Sequence, residues 1–318
     1  MTIKKLSILI LLVTGLWYCK SPETNWTNLF DGKTLKGWKQ LNGSAEFTVE
    51  EGCITGITQM NTHNSFLATE KQYTDFVLEY EMKMDEGLNS GVQIRSHSIP
   101  SYEDGRVHGL QVECDDSDRA WTGGLYDEAR KGWRYPLEYN PPAKTAFKHQ
   151  QWNKFRVLAI GHRIYTWVNG VSCSNLVEDE VETGFVALQV HAIYNPKDEG
   201  KKIQWKNIRI RPATEDDLTN LGKTDAPEVS FLINQLTDQE KQNGWKLLWD
   251  GKTSNGWRGA KLDHFPEKGW SMDHGELSVL QADGAESGPA GRSGKTRCCN
   301  SYPTVWPLRS KNRRTGTR

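Results

Sequence analysis

The sequence predicts an all-β protein folded as an antiparallel sandwich, and three observations carry the prediction. Between Asn25 and Pro212, short segments rich in Val, Ile, Phe, Tyr and Trp are bounded by Gly, Asn, Asp and Pro. Helical periodicity is nearly missing over the same span. Within the segments apolar and polar residues alternate, the pattern of a sheet with one face buried. The candidate strands are Phe47 to Val49, Cys53 to Thr58, Asp75 to Met84, Gly91 to Ser96, Gly109 to Asp115, Asn153 to Ile160, Arg163 to Val168, Gly184 to His191 and Ile203 to Arg211. So many strands without helices imply two packed sheets.

The flanking segments follow in chain order. Lys4 and Lys5 precede an apolar run from Leu6 to Tyr18, so residues 1–19 read as a secretory signal. Cys19 sits where a lipoprotein signal would place its lipidated residue, although Tyr18 before it is larger than that cleavage site prefers. Export to the periplasm or to an outer-membrane lipoprotein is therefore expected, and a lipid on Cys19 is the one membrane link foreseen. The sandwich occupies 25–212. Residues 213–244 form a polar linker in which Thr237-Asp238-Gln239-Glu240 reads as the capping box of a short helix.

An internal repeat follows the linker. Leu29-Phe30-Asp31-Gly32-Lys33-Thr34 and Gly37-Trp38 return as Leu248-Trp249-Asp250-Gly251-Lys252-Thr253 and Gly256-Trp257, and Phe47 to Ile54 is answered by Trp270 to Leu277. Residues 245–286 are thus expected to be an incomplete second copy, too short to close a sandwich. From Ser287 to Arg318 there are eight Lys or Arg and no Asp or Glu, and apolar periodicity stops. This tail reads as out-of-frame translation and is expected to be disordered. With 40 basic and 40 acidic residues the chain has a formal net charge of zero, which supplies no field for nucleic acid. A neutral partner such as a sugar fits better, and thirteen Trp residues offer rings for it.

Splitting the strands by alternation yields a candidate site. In Gly91 to His97, Val92 and Ile94 face the core while Gln93, Arg95 and His97 face out. In Gly109 to Asp115, Leu110, Val112 and Cys114 face in while Gln111, Glu113 and Asp115 face out. In Phe185 to His191, Val186, Leu188 and Val190 face in while Gln189 and His191 face out. If these strands are neighbours, Gln93, Arg95, Gln111, Glu113, Gln189 and His191 share one groove suited to a polyol. The span Asp116 to Lys148 reads as a long connection leaving the sheet, a candidate lid. It carries Arg119, Trp121, Tyr126, Asp127, Arg130, Trp133, Arg134 and Tyr135. Of these, Trp121, Tyr126 and Trp133 are the expected ring contacts, with Arg119 and Asp127 addressing hydroxyls.

Several motifs resemble the 3-keto-disaccharide hydrolase family. They are Gly109-Leu110-Gln111-Val112-Glu113-Cys114-Asp115, then Arg119-Ala120-Trp121-Thr122-Gly123-Gly124-Leu125-Tyr126-Asp127-Glu128, and Gly132-Trp133. Asn89 to Ser96, Trp167 to Gly170, Leu188 to His191 and Trp205 to Arg209 bracket them. The resemblance implies a concanavalin-A-like (jelly-roll) sandwich and action on 3-keto-glycosides or 3-keto-disaccharides. A ketone at C3 acidifies the C2 proton; a base removes it, the C1 substituent leaves by elimination, and water adds back. Glu113 or His191 could be the base, with Arg95, Gln93 and Gln111 at the carbonyl and neighbouring hydroxyls.

Two other classes compete. A retaining β-glucanase needs a close carboxylate pair, of which Glu113 and Asp115 suggest half. A non-catalytic carbohydrate-binding module needs only the groove and the rings. No ligand spacing demands a metal, although Asp115, Asp116 and Asp118 could hold a divalent cation through oxygen. No nucleotide fingerprint is present, so no cofactor is expected.

Overall fold

In a computed structural model, residues 26–221, 224–280 and 309–311 are described. The signal segment with Cys19, and the tail apart from 309–311, lie outside them. Two sheets form the body of the molecule. The larger runs, in hydrogen-bonded order, Val229–Ser230, Val171–Val177, Arg163–Val168, Asn153–Ile160, Phe76–Met84, Lys202–Pro212, Cys53–Ile57 and Glu46–Glu50, with Thr27–Asn28 pairing beside Lys202–Pro212. The smaller runs Gly132–Tyr135, Leu125–Glu128, His108–Asp115, Asn89–His97, Phe185–Val190, Ser65–Thr69 and Trp38–Leu41. Every pairing between these strands is antiparallel except Val171–Val177 with Val229–Ser230. The fold is the expected concanavalin-A-like sandwich.

The alternation in the sequence reports the core faithfully. Val92, Ile94, Leu110, Val112, Cys114, Val186, Leu188 and Val190 of the smaller sheet meet Leu78, Tyr80, Met82, Phe155, Val157 and Trp205 of the larger in one buried cluster. Each such side chain contributes about 1.5 to 3 kcal/mol on leaving water. The opposite face of the smaller sheet is therefore free to carry polar groups, and it holds the candidate site.

Two expectations are corrected. The span Asp116 to Lys148 does not leave the sheet: Leu125–Glu128 and Gly132–Tyr135 extend it, with Tyr126 opposite Gln111 and Trp133 opposite Tyr126. Single-turn helices at Leu137–Tyr139 and Pro141–Thr145 complete the return. Gly123 lets this hairpin dock closely, since a Cβ there would lie 2.7 Å from Cys173 Sγ, at a φ of +91°. The 213–244 linker, secondly, has more structure than one helix. Short helices stand at Glu215–Thr219 and at Asp238–Gln242, the latter with the expected Thr237/Glu240 capping box. Between them Val229–Ser230 joins the larger sheet, and Tyr135 donates to the Pro227 carbonyl at 2.7 Å.

The repeated motif folds the same way twice. Asp31 accepts the amides of Lys33 and Thr34, and Asp250 accepts those of Lys252 and Thr253. Trp38 donates its indole N–H to Leu29 and Trp257 to Leu248. The Glu46–Glu50/Cys53–Ile57 hairpin likewise corresponds to Trp270–Asp273/Glu276–Val279. Both turns, Glu51-Gly52 and His274-Gly275, have positive φ at both residues, as two-residue hairpins require. In the first case Lys202–Pro212 continues the sheet, whereas Glu276–Val279 has no further strand beside it among the described residues. Of the basic tail, Arg309–Lys311 pairs with Trp245–Leu247, a departure from expected disorder for those residues.

Candidate functional site

A cavity of about 1200 Å³ lies on the outer face of the smaller sheet. Gln111, Glu113 and Asp115 from one strand, Asn89 from the next and His191 after a third reach it side by side, because the pairings Asn89/Asp115, Gly91/Glu113 and Gln189/Gly91 set these strands in register. Arg119, Tyr126 and Trp133 form one wall. Asn42, Asn61, Asn64, Glu103 and Arg106 also line it, and Glu128 reaches it from the strand that carries Tyr126.

Glu113 is the chemical centre of the cavity. Its Oε1 accepts from Asn89 Nδ2 at 2.6 Å and from Arg119 Nη2 at 3.4 Å, while Oε2 accepts from Gln111 Nε2 at 3.0 Å. Gln93 in turn donates to Gln111 Oε1 at 2.8 Å, so a chain of amides fixes the carboxylate. Burial raises the Glu113 pKa to about 7, against the pull of Asn89, Gln111 and Arg119. That value is suited to a general base at neutral pH. His191 places Nδ1 2.7 Å from the Ala192 carbonyl. A carbonyl only accepts, so Nδ1 carries the proton and Nε2 keeps its lone pair. Burial lowers the His191 pKa, which favours the same neutral form.

The aromatic wall is braced by a cation. The Arg119 guanidinium lies 4.6 Å from the Trp121 ring centre and 4.9 Å from that of Trp133, and its Nε donates to Asp115 at 2.7 Å. Trp133 meets Trp121 and Tyr126 edge to face at 4.4 and 5.2 Å. Trp121 itself stands behind the wall, donating to Glu138 at 2.7 Å, and does not line the cavity.

Other expected site residues are placed elsewhere. Arg95 sits at a bulge after Ile94 with φ +47°, and the re-aimed guanidinium donates to Thr74 and Gly161 carbonyls at 2.8 and 2.7 Å and pairs with Asp75 at 3.0 Å. It anchors the sandwich edge and does not reach the groove. Gln93 is fully buried beside Gln111, its partner on the neighbouring strand, and Gln189 is fully buried with its amide unpaired among the described residues. Asp127 follows Tyr126 on a strand and so points away from the groove, where it holds Arg130 at 2.7 Å. For the suggested cation, Asp115 is bonded to Arg119 and the Ser117 amide, and Asp116 to the Gly87 amide with His149 Nδ1 at 2.6 Å. Neither carboxylate is left open for a metal, and no group of three or more His, Cys, Asp or Glu converges among the described residues.

Residues 25–211 match the family described as the 3-keto-alpha-glucoside-1,2-lyase-like domain. The chain belongs to this family. As a 3-keto-alpha-glucoside-1,2-lyase-like protein it is a carbohydrate-acting β-sandwich. No curated protein matches it. Among solved structures it is similar to a glycosyl hydrolase from Parabacteroides distasonis (21% identity, 59% of this chain and 94% of that one, TM-score 0.44). It is also similar to a carbohydrate-binding module from Bacillus subtilis (14%, 55% and 95%, 0.39) and to porphyranase B from Zobellia galactanivorans (15%, 61% and 94%, 0.42).

Asn64, Asn89 and Glu128 were not foreseen in this lyase-like site. Asn89 opens a strand that the sequence begins at Gly91. Glu128 would emerge from the same alternation as Tyr126, had Leu125 to Glu128 been read as a strand.

Proposed function

We propose that the protein cleaves glycosides bearing a ketone at C3, with Glu113 removing the C2 proton, the C1 group leaving by elimination and water adding back. The observation that carries this reading is the Glu113 carboxyl: buried, oriented by three donors and titrating near neutrality at the cavity floor. An α-proton beside a ketone needs a base of that strength. Direct displacement at an unoxidised sugar would call for a second carboxylate close by, and the one beside Glu113, Asp115, has both oxygens engaged, by the Ser117 amide and by Arg119 Nε.

The remaining groups fit the same reaction. His191 Nε2 accepts a hydrogen bond from a sugar hydroxyl. Arg119 offers N–H groups and positive charge to the oxygen that becomes an enolate, which stabilises charge as it develops. Trp133 and Tyr126 cover a sugar face. The basic-then-apolar leader at residues 1–19 supports action outside the cytoplasm.

Glu113→Gln separates this reading from a purely binding role. The variant keeps the shape of the groove, so a 3-keto-glycoside should still bind in calorimetry while turnover falls by about 1000-fold, in the range set by loss of a general base. Undiminished turnover would remove Glu113 from the chemistry.

A further inference from the structure

The outer face of the larger sheet carries a second cavity, of about 700 Å³. That volume is within the range of small-molecule sites, about 300 to 1000 Å³. Its floor follows from alternation: Leu78, Tyr80, Phe155 and Val157 face the core, so Glu79, Lys154 and Arg156 face out. The register then sets five side chains in one line across five strands. Trp167 is opposite Arg156, Arg156 opposite Glu79, Glu79 opposite Arg209, and Arg209 opposite Asn28. Such a row is about 19 Å long, the reach of several linked sugar rings. Asp217, Asn220 and Leu221, from the Glu215–Thr219 helix and the residues after it, line the same cavity.

The charges of this cavity cancel. Lys154, Arg156 and Arg209 are matched by Glu79, Glu81 and Asp217, three against three, so neither a polyanion nor a polycation gains from entering. The same pairing fixes the head groups in place. Glu79 accepts from Arg156 Nη1 at 3.3 Å and from Arg209 Nε at 3.0 Å, and Asp217 accepts from Arg211 Nη1 at 2.8 Å. Groups already held lose little freedom when a ligand arrives. Lys154 Nζ and the side-chain amides of Asn28 and Asn220 make no hydrogen bond among the described residues, so they remain for a ligand's hydroxyls. Trp167 adds a flat apolar surface. Tyr165, on the same face of the strand, is buried in the cluster that Leu218 and Leu221 join, whereas Trp167 is only half-buried. Arg156 stands 5.9 Å from the Trp167 ring centre, so this ring is less covered than that of Trp26, which holds Arg209 at 4.5 Å.

We infer that this row is a binding site for a neutral oligosaccharide, separate from the groove that holds Glu113. Trp167 covers one sugar ring, and Arg156, Glu79, Arg209 and Asn28 address the hydroxyls of the rings that follow along the row. The site performs no chemistry. It holds a glycan on the outer face of one sheet while the Glu113 groove lies on the outer face of the other, and it does not depend on the elimination reading above.

Isothermal calorimetry on the full chain tests it with maltohexaose, cellohexaose and laminarihexaose, which are uncharged and not oxidised at C3, and with hexagalacturonate as the charged comparison. The expected result is that at least one neutral hexasaccharide binds with a Kd of about 1 mM or tighter, and that Trp167→Ala weakens it about tenfold, the worth of one aromatic contact. Arg156→Ala removes a side chain that is nearly half exposed, should weaken binding as well, and decides the matter if Trp167→Ala does not fold. Turnover of a 3-keto-glucoside should be the same in both variants as in wild type. Binding of none of the three, binding that Trp167→Ala and Arg156→Ala leave unchanged, a loss in Trp133→Ala in place of Trp167→Ala, or tighter binding of hexagalacturonate would each overturn the inference. None of these outcomes touches the elimination reading, which fails separately if wild type leaves the 3-keto-glucoside intact.

Discussion

Asn89 donates its side-chain amide to Oε1 of Glu113 at 2.6 Å, one strand away across the floor of the groove. This bond favours the ionised carboxylate and works against burial, which dominates and brings the pKa to about 7. Asn89→Ala should therefore raise the Glu113 pKa further, by about one unit for the loss of a charge-assisted bond. The acidic limb of the kcat/KM profile should move to higher pH by that amount. An unmoved limb would mean that Glu113 does not set it.

Gly91 lies between Glu113 and Gln189, and the Gln111 side chain occupies the space where a Cβ would be, at 2.5 Å. Gly91→Ala should force the buried Gln111 side chain, from its Cγ outward, off Glu113 Oε2. The expected outcome is a fall in kcat of about tenfold with about 1 to 3 kcal/mol of lost stability. Urea denaturation alongside steady-state kinetics checks both parts.

Trp133 holds the wall from which Tyr126 and Arg119 take their positions. Trp133→Ala should raise KM by about tenfold, the worth of one aromatic contact of about 1.5 kcal/mol. Trp121→Ala, behind the wall, should raise it less. The reverse ranking would place the sugar face on Trp121.

Arg95→Ala should leave ligand binding unchanged and cost about 3 kcal/mol of stability, because it strips Asp75 and two carbonyls of their donor. Calorimetry with a bound glycoside measures the first and urea denaturation the second.

The buried acids make stability depend on pH. Glu178 is 3% exposed, its oxygens accept no hydrogen bond among the described residues, Arg134 Nε is 3.4 Å away, and burial raises its pKa to about 7. Its unfolded value lies near 4.5, so the folded chain binds the extra proton between these limits. The stabilising contribution is thus complete below pH 4.5 and is lost as pH rises to about 7. Glu113 acts with the same sign. Stability should fall between pH 5 and pH 8, and Glu178→Gln should flatten that decline by roughly 1 to 3 kcal/mol. A wild-type protein equally stable at both ends would contradict the burial of these groups.

Much of this architecture was legible because the physics that writes it is local. Alternation placed Val92, Leu110, Val112 and Leu188 in the core and Gln111, Glu113 and His191 on one face, since successive strand side chains oppose each other. Arg95 escaped because a bulge after Ile94 breaks the alternation where the pattern assumes it continues. Ser65–Thr69 escaped for a different reason: all five residues are buried, so apolar and polar positions do not separate. Its outer face is covered by Val107, which clusters with Phe66, Ala68, Phe185 and Ala187. That cover also explains why Gln189, opposite Phe66, is sealed from the groove. The Leu125–Glu128 and Gly132–Tyr135 strands are too short to announce a period, and with them Glu128 was hidden. Asn64 lies just before a strand, and its two bonds reach residues 64 and 128 positions along the chain.

The most direct test of the account supplies the wild-type protein with two glycosides alike in sugar and leaving group, one oxidised at C3 and one not. Release of the leaving group from the ketone alone is the predicted result, because only there is the C2 proton acidic enough for a carboxylate titrating near 7. Equal release from both glycosides, or release only from the unoxidised one, would contradict it.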